Sequence, residues 1–424
     1  MSRRLVAAAL AATVVVAATA GGGTSAAAHP AAPPDTYVAA WNATGVQAFT
    51  AAALSPAEGH VIFAYASIAV YDAVMAVQQD HQPFAVDADA PAGTSPQAAA
   101  VAAAHRVFVH YLPAQAPTIL DPAYQASLAT ISDGQAKNDG IALGEDVAAA
   151  LIDMRQDDGF REPVVYTPPS PPIPGVWLPT ASSPPIGTYL GGMRPFALDS
   201  ADQFRPHGPP ALHTKRWARD YNEVKEIGSS TSTTRTGQQT LAARFWAEAP
   251  VQQARGSFGR FASDRGLDIS RAARFMAMIS VSYADAIIAC FDAKYSFAFW
   301  RPITAIRAGD TDGNHRTVGD ATWSPVLAGT PNHPEYPSAH SCITPTAGPV
   351  ISRFLGTGKI DFTVPSLTGL GDRHFAKAKD LESEVSNARI WGGIHFRTAV
   401  EDGVVIATKT AKYVLAHHFK KSKN

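Results

Sequence analysis

His333-Pro334-Glu335-Tyr336-Pro337-Ser338-Ala339-His340-Ser341 packs two histidines, two serines and two prolines into nine residues, and a run that reads as a helix follows it from Ile343 to Leu355. Serine caps helix starts, and the free N–H groups of such a start point outward. A helix end of this kind attracts anions, because the dipole and the unpaired donors act together. The stretch reads as the floor of an oxyanion site with His340 at its lip. The plain alternative is a surface turn that opens a core helix.

Around this stretch the chain is helical. Apolar residues at helical spacing run from Trp41 to Val77 with a break at Leu54-Ser55-Pro56, and again over Pro96–Tyr111, Ala123–Ile131 and Asn138–Gln156. Helical patterns resume at Thr214–Glu226, Thr236–Trp246, Ile269–Cys290, Pro345–Leu355, Ala376–Arg389 and Ala399–His418. Strand alternation is almost absent. The predicted fold class is all-α, built of helical bundles.

Prolines and glycines crowd the segment between the two helical sets, as in Pro168-Pro169-Ser170-Pro171-Pro172. A stretch this long without regular structure has a use in a compact domain. Trp177, Tyr189, Phe196 and Phe204 give it apolar anchors, so it reads as an excursion across one face or a junction between halves rather than a free linker. The expected organisation is a signal peptide over 1–28, an N-terminal helical half over 29–162, the excursion over 163–212, and a C-terminal half over 213–424 that carries the site.

With 424 residues, 46% of them hydrophobic, the chain can bury a large core. A net charge of −1 without a Lys/Arg stripe excludes nucleic acid as a natural partner. Met1-Ser2-Arg3-Arg4, the apolar run Leu5 to Ala20 and the small residues Ala26-Ala27-Ala28 have the form of a secretory signal, which predicts a secreted protein with no membrane span once the signal is removed. Cys290 and Cys342 are the only cysteines, so this is not a disulfide scaffold; export permits one bridge, and two buried thiols are the other reading.

Lys294 and Arg301 are seven residues apart, with Tyr295, Phe297, Phe299 and Trp300 between them. Two cations in aromatic surroundings are costly unless an anion meets them. Pro302 disfavours helical geometry at Arg301, which places Arg301 at a break. Further on, Arg389 and His395 flank Gly392-Gly393, a pair able to break a helix and re-aim the chain. Three cations, the Ser338 hydroxyl, the Ala339 N–H and two histidines suit a tetrahedral oxyanion. One histidine would bond its central atom and the other exchange protons. Taken singly, each of these residues also has a structural reading: stacking, snorkelling or a satisfied core histidine.

In order, Lys294-x6-Arg301-Pro302, Pro337-Ser338-Ala339-His340 and Arg389-x5-His395 resemble the three-part signature of the vanadium-dependent haloperoxidases and of the related type 2 phosphatidic acid phosphatases and bacterial acid phosphatases. A weaker likeness to secreted bacterial haloperoxidase-like proteins reaches back through Phe204-Arg205-Pro206 and Phe245-Trp246. The resemblance implies His395 as the vanadium-binding or nucleophilic histidine and His340 as the acid–base histidine. It implies Lys294, Arg301, Ser338, Ala339 and Arg389 as the oxygen-binding shell, with Lys294 also polarising peroxide. His333 resembles a halide-influencing histidine, which points to bromide or iodide over chloride. Glu248 and Asp402 are the supporting acids implied, Glu248 as partner of Arg389. Two departures stand out: Ala339 replaces the usual glycine, and Ala399 stands where the phosphatases carry an aspartate four residues after the histidine.

The leading expectation is a secreted haloperoxidase with vanadate as cofactor and hydrogen peroxide, halide and a small organic acceptor as substrates. The alternative is a phosphomonoesterase without a cofactor, with His395 as nucleophile and His340 as general acid. A free carboxylate within hydrogen-bond reach of His395 would favour the alternative. A non-enzymatic helical binding protein would instead scatter these side chains over the surface.

Overall fold

Ser55-Pro56-Ala57-Glu58 combines a capping serine, proline at the first helical position and a glutamate three residues on. In the structure, a computed structural model that describes residues 35–422, it forms a complete capping box. The break it makes separates α1 (Tyr37–Ala52) from α2 (Pro56–Gln78). α3 (Pro96–Tyr111), opened by Ser95 in the same way, α4 (Asp121–Ala129) and α5 (Gln135–Met154) complete the N-terminal set. The signal segment and residues 29–34 lie outside the described residues.

From 163 to 212 the chain runs without an α-helix and turns only once into a 3-10 helix, at Leu190–Gly192. It is tied to the body at several points. Trp177 is fully buried, and its backbone N–H donates to the Ala298 carbonyl. Ile186 N–H donates to the Asn332 carbonyl, and the Phe196, Ala197 and Leu198 N–H groups converge on the Asp285 carboxylate at 2.6, 2.8 and 2.9 Å.

α6 (Lys215–Ile227), α7 (Gly237–Phe245), α8 (Pro250–Asp264) and α9 (Ile269–Phe297) follow. The sequence patterns did not predict α8. After α9 come α10 (Pro302–Arg307), the short α11 (Ala339–Ile343) and α12 (Ala347–Leu355). β1 (Lys359–Val364) and β2 (Arg373–Lys377) pair as an antiparallel hairpin before α13 (Ala378–Trp391) and α14 (Arg397–His417). The hairpin claims Ala376 and Lys377, which the helical pattern had included.

α2 and α9 have the length and hydropathy of membrane spans, but nearly all their surface is inside the protein. Every residue of α9 from Phe275 to Lys294 is buried, as expected of a helix that is apolar all round. α2 packs on α9 and α3, and one apolar core runs from Val38 on α1 to Phe419 beyond α14. Cys290 and Cys342 are buried free thiols within it.

Candidate active site

α9 ends where Ala298 takes a left-handed conformation (φ 43°), and Arg301 then caps α10 in extended backbone. Pro302 therefore does what its position predicts: Lys294 and Arg301 do not share one helix. Gly393 (φ 75°) breaks the chain between α13 and α14, which leaves Arg389 on the last turn of α13 and His395 in the short connection. Ser338 is the residue before α11, and its N–H donates to the Ala399 carbonyl on α14. Glu335 N–H donates to the Phe299 carbonyl, and Arg301 Nη1 to the Ile394 carbonyl at 3.1 Å. The three signature segments are thus tied to one another by backbone groups.

They enclose one face of a cavity of about 260 Å³ whose lining includes His333, Ala339, His340, Arg389, Ile394 and His395. His395 is 2% exposed. Its Nδ1 lies 2.9 Å from Glu335 Oε1, and Arg301 Nη1 stands 3.3 Å from its Nε2. An arginine only donates and a carboxyl oxygen accepts, so these partners select the Nδ1–H tautomer and leave the lone pair on Nε2. Burial, with Arg301, Lys294 and Arg389 nearby, pushes the His395 pKa well below the ordinary imidazole value, so the ring is neutral.

Arg301 is wholly buried; its Nε donates to the His333 carbonyl at 2.9 Å, and its Nη2 is 3.0 Å from His333 Nδ1. Burial pushes its pKa down to about 10. His333 packs on Phe291 with ring centroids 5.2 Å apart, and burial and the two cations keep it neutral. Arg389 donates through Nη1 to the Trp246 carbonyl, while its buried Nε has no partner. Burial and Arg301 push its pKa down to about 9. The His340 ring lines the cavity and makes no hydrogen bond among the described residues; burial and Arg389 hold it neutral. Ala339 opens α11 without a positive φ, so the missing glycine costs no backbone strain here.

Besides Arg301, whose guanidinium is set behind His333 and His395 and does not itself line the cavity, four predicted residues sit differently from expectation. Lys294 is wholly buried, but its ammonium donates to the carbonyls of Pro334 (2.8 Å), Glu335 (3.0 Å) and Pro337, and it does not line the cavity. Three donors meeting three carbonyls make it a buttress of the 334–337 turn, and burial pushes its pKa down to about 8. Ser338 is also buried behind the lining, where its Oγ accepts from Ser341 Oγ at 3.3 Å. Glu248 reaches the cavity edge, yet it forms no ion pair with Arg389. Its carboxylate is taken up by Ser366 Oγ (2.8 Å), Leu367 N–H (2.6 Å) and Thr368 Oγ1 (2.6 Å) in the loop after β1. Asp402 does not reach His395 either. It accepts from the Tyr336 hydroxyl at 2.6 Å, and the position it was expected to fill belongs to Glu335.

Glu335 is the residue the sequence reasoning passed over, although it stands inside the opening stretch. It is fully buried; Oε1 takes both His395 Nδ1–H and, at 2.9 Å, the Phe396 N–H, and Oε2 has no partner. Burial outweighs the neighbouring cations and pushes its pKa up to about 8, so near neutrality it holds its proton. His60 was missed as well. It reaches the cavity from α2, more than 200 residues before the signature, packed against Tyr283 with ring centroids 5.4 Å apart, and Ile186 and Ala254 also line the cavity.

Arg389 lines the cavity with an unpartnered guanidinium nitrogen, and Arg301 lies just behind His395 and His333 in its wall, so the cavity has a cationic side that fits a tetrahedral oxyanion. Residues 274–423 match the family model described as VCPO second helical-bundle domain. Comparison with curated proteins gives no match. Among solved structures, a bacterial vanadium-dependent iodoperoxidase aligns over 93% of this chain and 99% of its own, with 24% identity and a TM-score of 0.78. A holo-type bacterial vanadium-dependent chloroperoxidase aligns over 91% and 98% (18% identity, TM-score 0.70), and an apo-type one over 86% and 94% (16%, 0.67). The chain thus has the fold of the bacterial vanadium-dependent haloperoxidases, and its residues 274–423 resemble their second helical bundle.

Proposed function

We propose that this chain is a secreted vanadium-dependent haloperoxidase that uses hydrogen peroxide to oxidise halide, bromide or iodide in preference to chloride, for delivery to a small organic acceptor. The observation that carries the proposal is the His395 ring: neutral, fixed at Nδ1 by Glu335, with Nε2 beside Arg301 in a cationic cavity. His395 Nε2 would bind the metal, and Arg301, Arg389 and the Ala339 N–H would hold the oxyanion's oxygens. Bound vanadate would supply a Lewis acid that activates peroxide toward halide without changing its own oxidation state.

The chain's other groups then have defined tasks. His340, neutral and without a protein partner, takes a proton from incoming peroxide and returns one as water leaves. Lys294 keeps its charge behind the 334–337 turn and orients the carbonyls there. His333, against Phe291 at the cavity wall, contacts the site where halide approaches, which supports the halide preference.

One observation favours the second reading, phosphomonoester hydrolysis with His395 as nucleophile: a carboxyl group does reach His395. Glu335 is pushed toward its protonated form, however, and so is not the free carboxylate that would activate a nucleophile. The test is bromination of a phenol dye with vanadate and peroxide, against hydrolysis of p-nitrophenyl phosphate without vanadate. The haloperoxidase predicts the first activity, loss of vanadate binding in His395→Ala, retained binding without turnover in His340→Ala, and a changed bromide-to-chloride ratio in His333→Phe. Phosphatase activity alone would replace the proposal with the second reading.

A further inference from the structure

Arg255, on α8, is 3% exposed in the N-terminal part of the core. Its partners are all neutral: Nε donates to Asn42 Oδ1 at 2.7 Å and Nη1 to Ser280 Oγ at 2.7 Å, while Nη2 has only Ser67 Oγ at 3.5 Å and Met276 Sδ at 3.9 Å. The guanidinium lies over Phe63, 4.4 Å from the ring centroid. Among the described residues it takes part in no ion pair, whereas Arg155, at a similar depth, meets Asp158 at 2.7 Å. The titratable groups that face it do not supply a charge either, since burial keeps His60 and Tyr283 neutral. A buried cation without a counter-charge is costly, and Arg255 has only hydroxyl, amide and ring partners to offset that cost.

Beside Arg255 is a cavity of about 30 Å³, lined by Trp41, Asn42, Ser67 and Met276 among others. Trp41 is 3% exposed, and its indole N–H has no hydrogen-bond partner. The cavity wall thus carries an uncompensated arginine and an unsatisfied donor, neither of which can accept a hydrogen bond. The volume suffices for one small ion or one water molecule. We infer that this cavity is a binding site for a single monovalent anion of the chloride class, held by Arg255 and the Trp41 indole N–H. It is separate from the cavity at His395, with which it shares no lining residue.

Melting temperatures measured against chloride, with gluconate holding ionic strength constant, test the site in the full chain, in Arg255→Met and in Trp41→Phe. A saturable, chloride-specific rise is expected in the unaltered protein and is lost in Arg255→Met. Trp41→Phe keeps an aromatic ring at the site and removes the N–H, and it weakens the chloride midpoint by about tenfold, the equivalent of one charge-assisted hydrogen bond. Crystals soaked in bromide give an anomalous peak between Arg255 and Trp41, a result that does not depend on how either variant folds. The inference is overturned by the absence of a chloride-specific rise in the unaltered protein, by an equal rise in Arg255→Met, which would place the ion among the cations near His395, or by a bromide map without that peak.

Discussion

His395 keeps its lone pair on Nε2, beside Arg301, because Glu335 takes the proton side of the ring at Nδ1, so the carboxyl group acts on the site through the ring it holds. Supporting groups of this kind are worth about 10–100-fold in metal affinity. Glu335→Ala should therefore weaken vanadate binding by roughly that factor. Glu335→Gln should recover most of it, because a neutral amide oxygen accepts as the protonated carboxyl does. Vanadate titration of both variants checks this, and equal losses would show that the site needs the negative charge itself. His60 permits a test that leaves the metal aside. Burial and Arg255 push its pKa down to about 3, whereas in the unfolded chain it titrates near its ordinary value of about 6.5. As pH falls below 6.5 the unfolded chain gains a proton that the folded chain refuses, so stability is lost from there toward pH 3, by at most about 1.4 kcal/mol per pH unit. His60→Phe should flatten that slope in urea unfolding between about pH 6.5 and pH 4; parallel slopes would remove His60 as a source of acid sensitivity. That Arg301, Arg389, His340 and His395 come together was legible from the order and spacing of three motifs, none of which would have sufficed alone. Glu335 was not, because a carboxyl group between prolines looks like a turn, and only the folded distance pairs it with a histidine 60 residues away.

Most helices were legible from apolar residues at helical spacing, and the structure adds the caps that start them: Ser55 with Glu58, Ser95 before Pro96, and Asp268 before α9. α8 escaped because Gly256 and Gly259 dilute its pattern; both are accommodated in a helix that packs on α1. The break that matters most to the site is Gly392-Gly393, and there the two glycines do different work. Gly392 caps α13 with right-handed backbone angles, whereas Gly393 adopts φ 75° with the Gly228 carbonyl pressed against the place a Cβ would take. Alanine at 393 would incur the left-handed penalty of about 1–2 kcal/mol. It would also have to displace the Gly228 carbonyl and Pro325, two residues before His395. Gly393→Ala is expected to destabilise the protein by about 3 kcal/mol or more and to weaken vanadate binding, as read by urea unfolding and titration. A variant as stable as the parent, with unchanged affinity, would mean that the connection has room the structure does not show.

At the scale of the whole molecule, the ten residues read from the sequence as a site all fall between Glu248 and Asp402, yet the cavity is not a property of that segment alone. Pro56, Ala57 and His60 come from α2, and Ile186 comes from the Pro-rich excursion. Such residues are too common for any sequence pattern to mark which of them face a cavity. The same interdependence governs folding. α9 carries Lys294 at its end and is buried all round, with α2 covering one side and the Ser67–Ser280 hydroxyl pair, 2.9 Å apart, joining the two helices. A fragment of residues 213–422 would keep every signature residue but expose the face of α9 that α2 covers, and it would leave Asp285 without the three N–H donors of residues 196–198. Each buried apolar side chain so exposed forfeits about 1.5–3 kcal/mol, which a handful of residues raises to the whole stability of a domain. The fragment should show helical far-UV circular dichroism, weak near-UV signals, dye binding to exposed apolar surface and no vanadate binding at concentrations that saturate the full chain. Native near-UV signals together with vanadate affinity within about tenfold of the full chain would show that the C-terminal bundle stands alone, and that the N-terminal helices serve the organic acceptor rather than the fold.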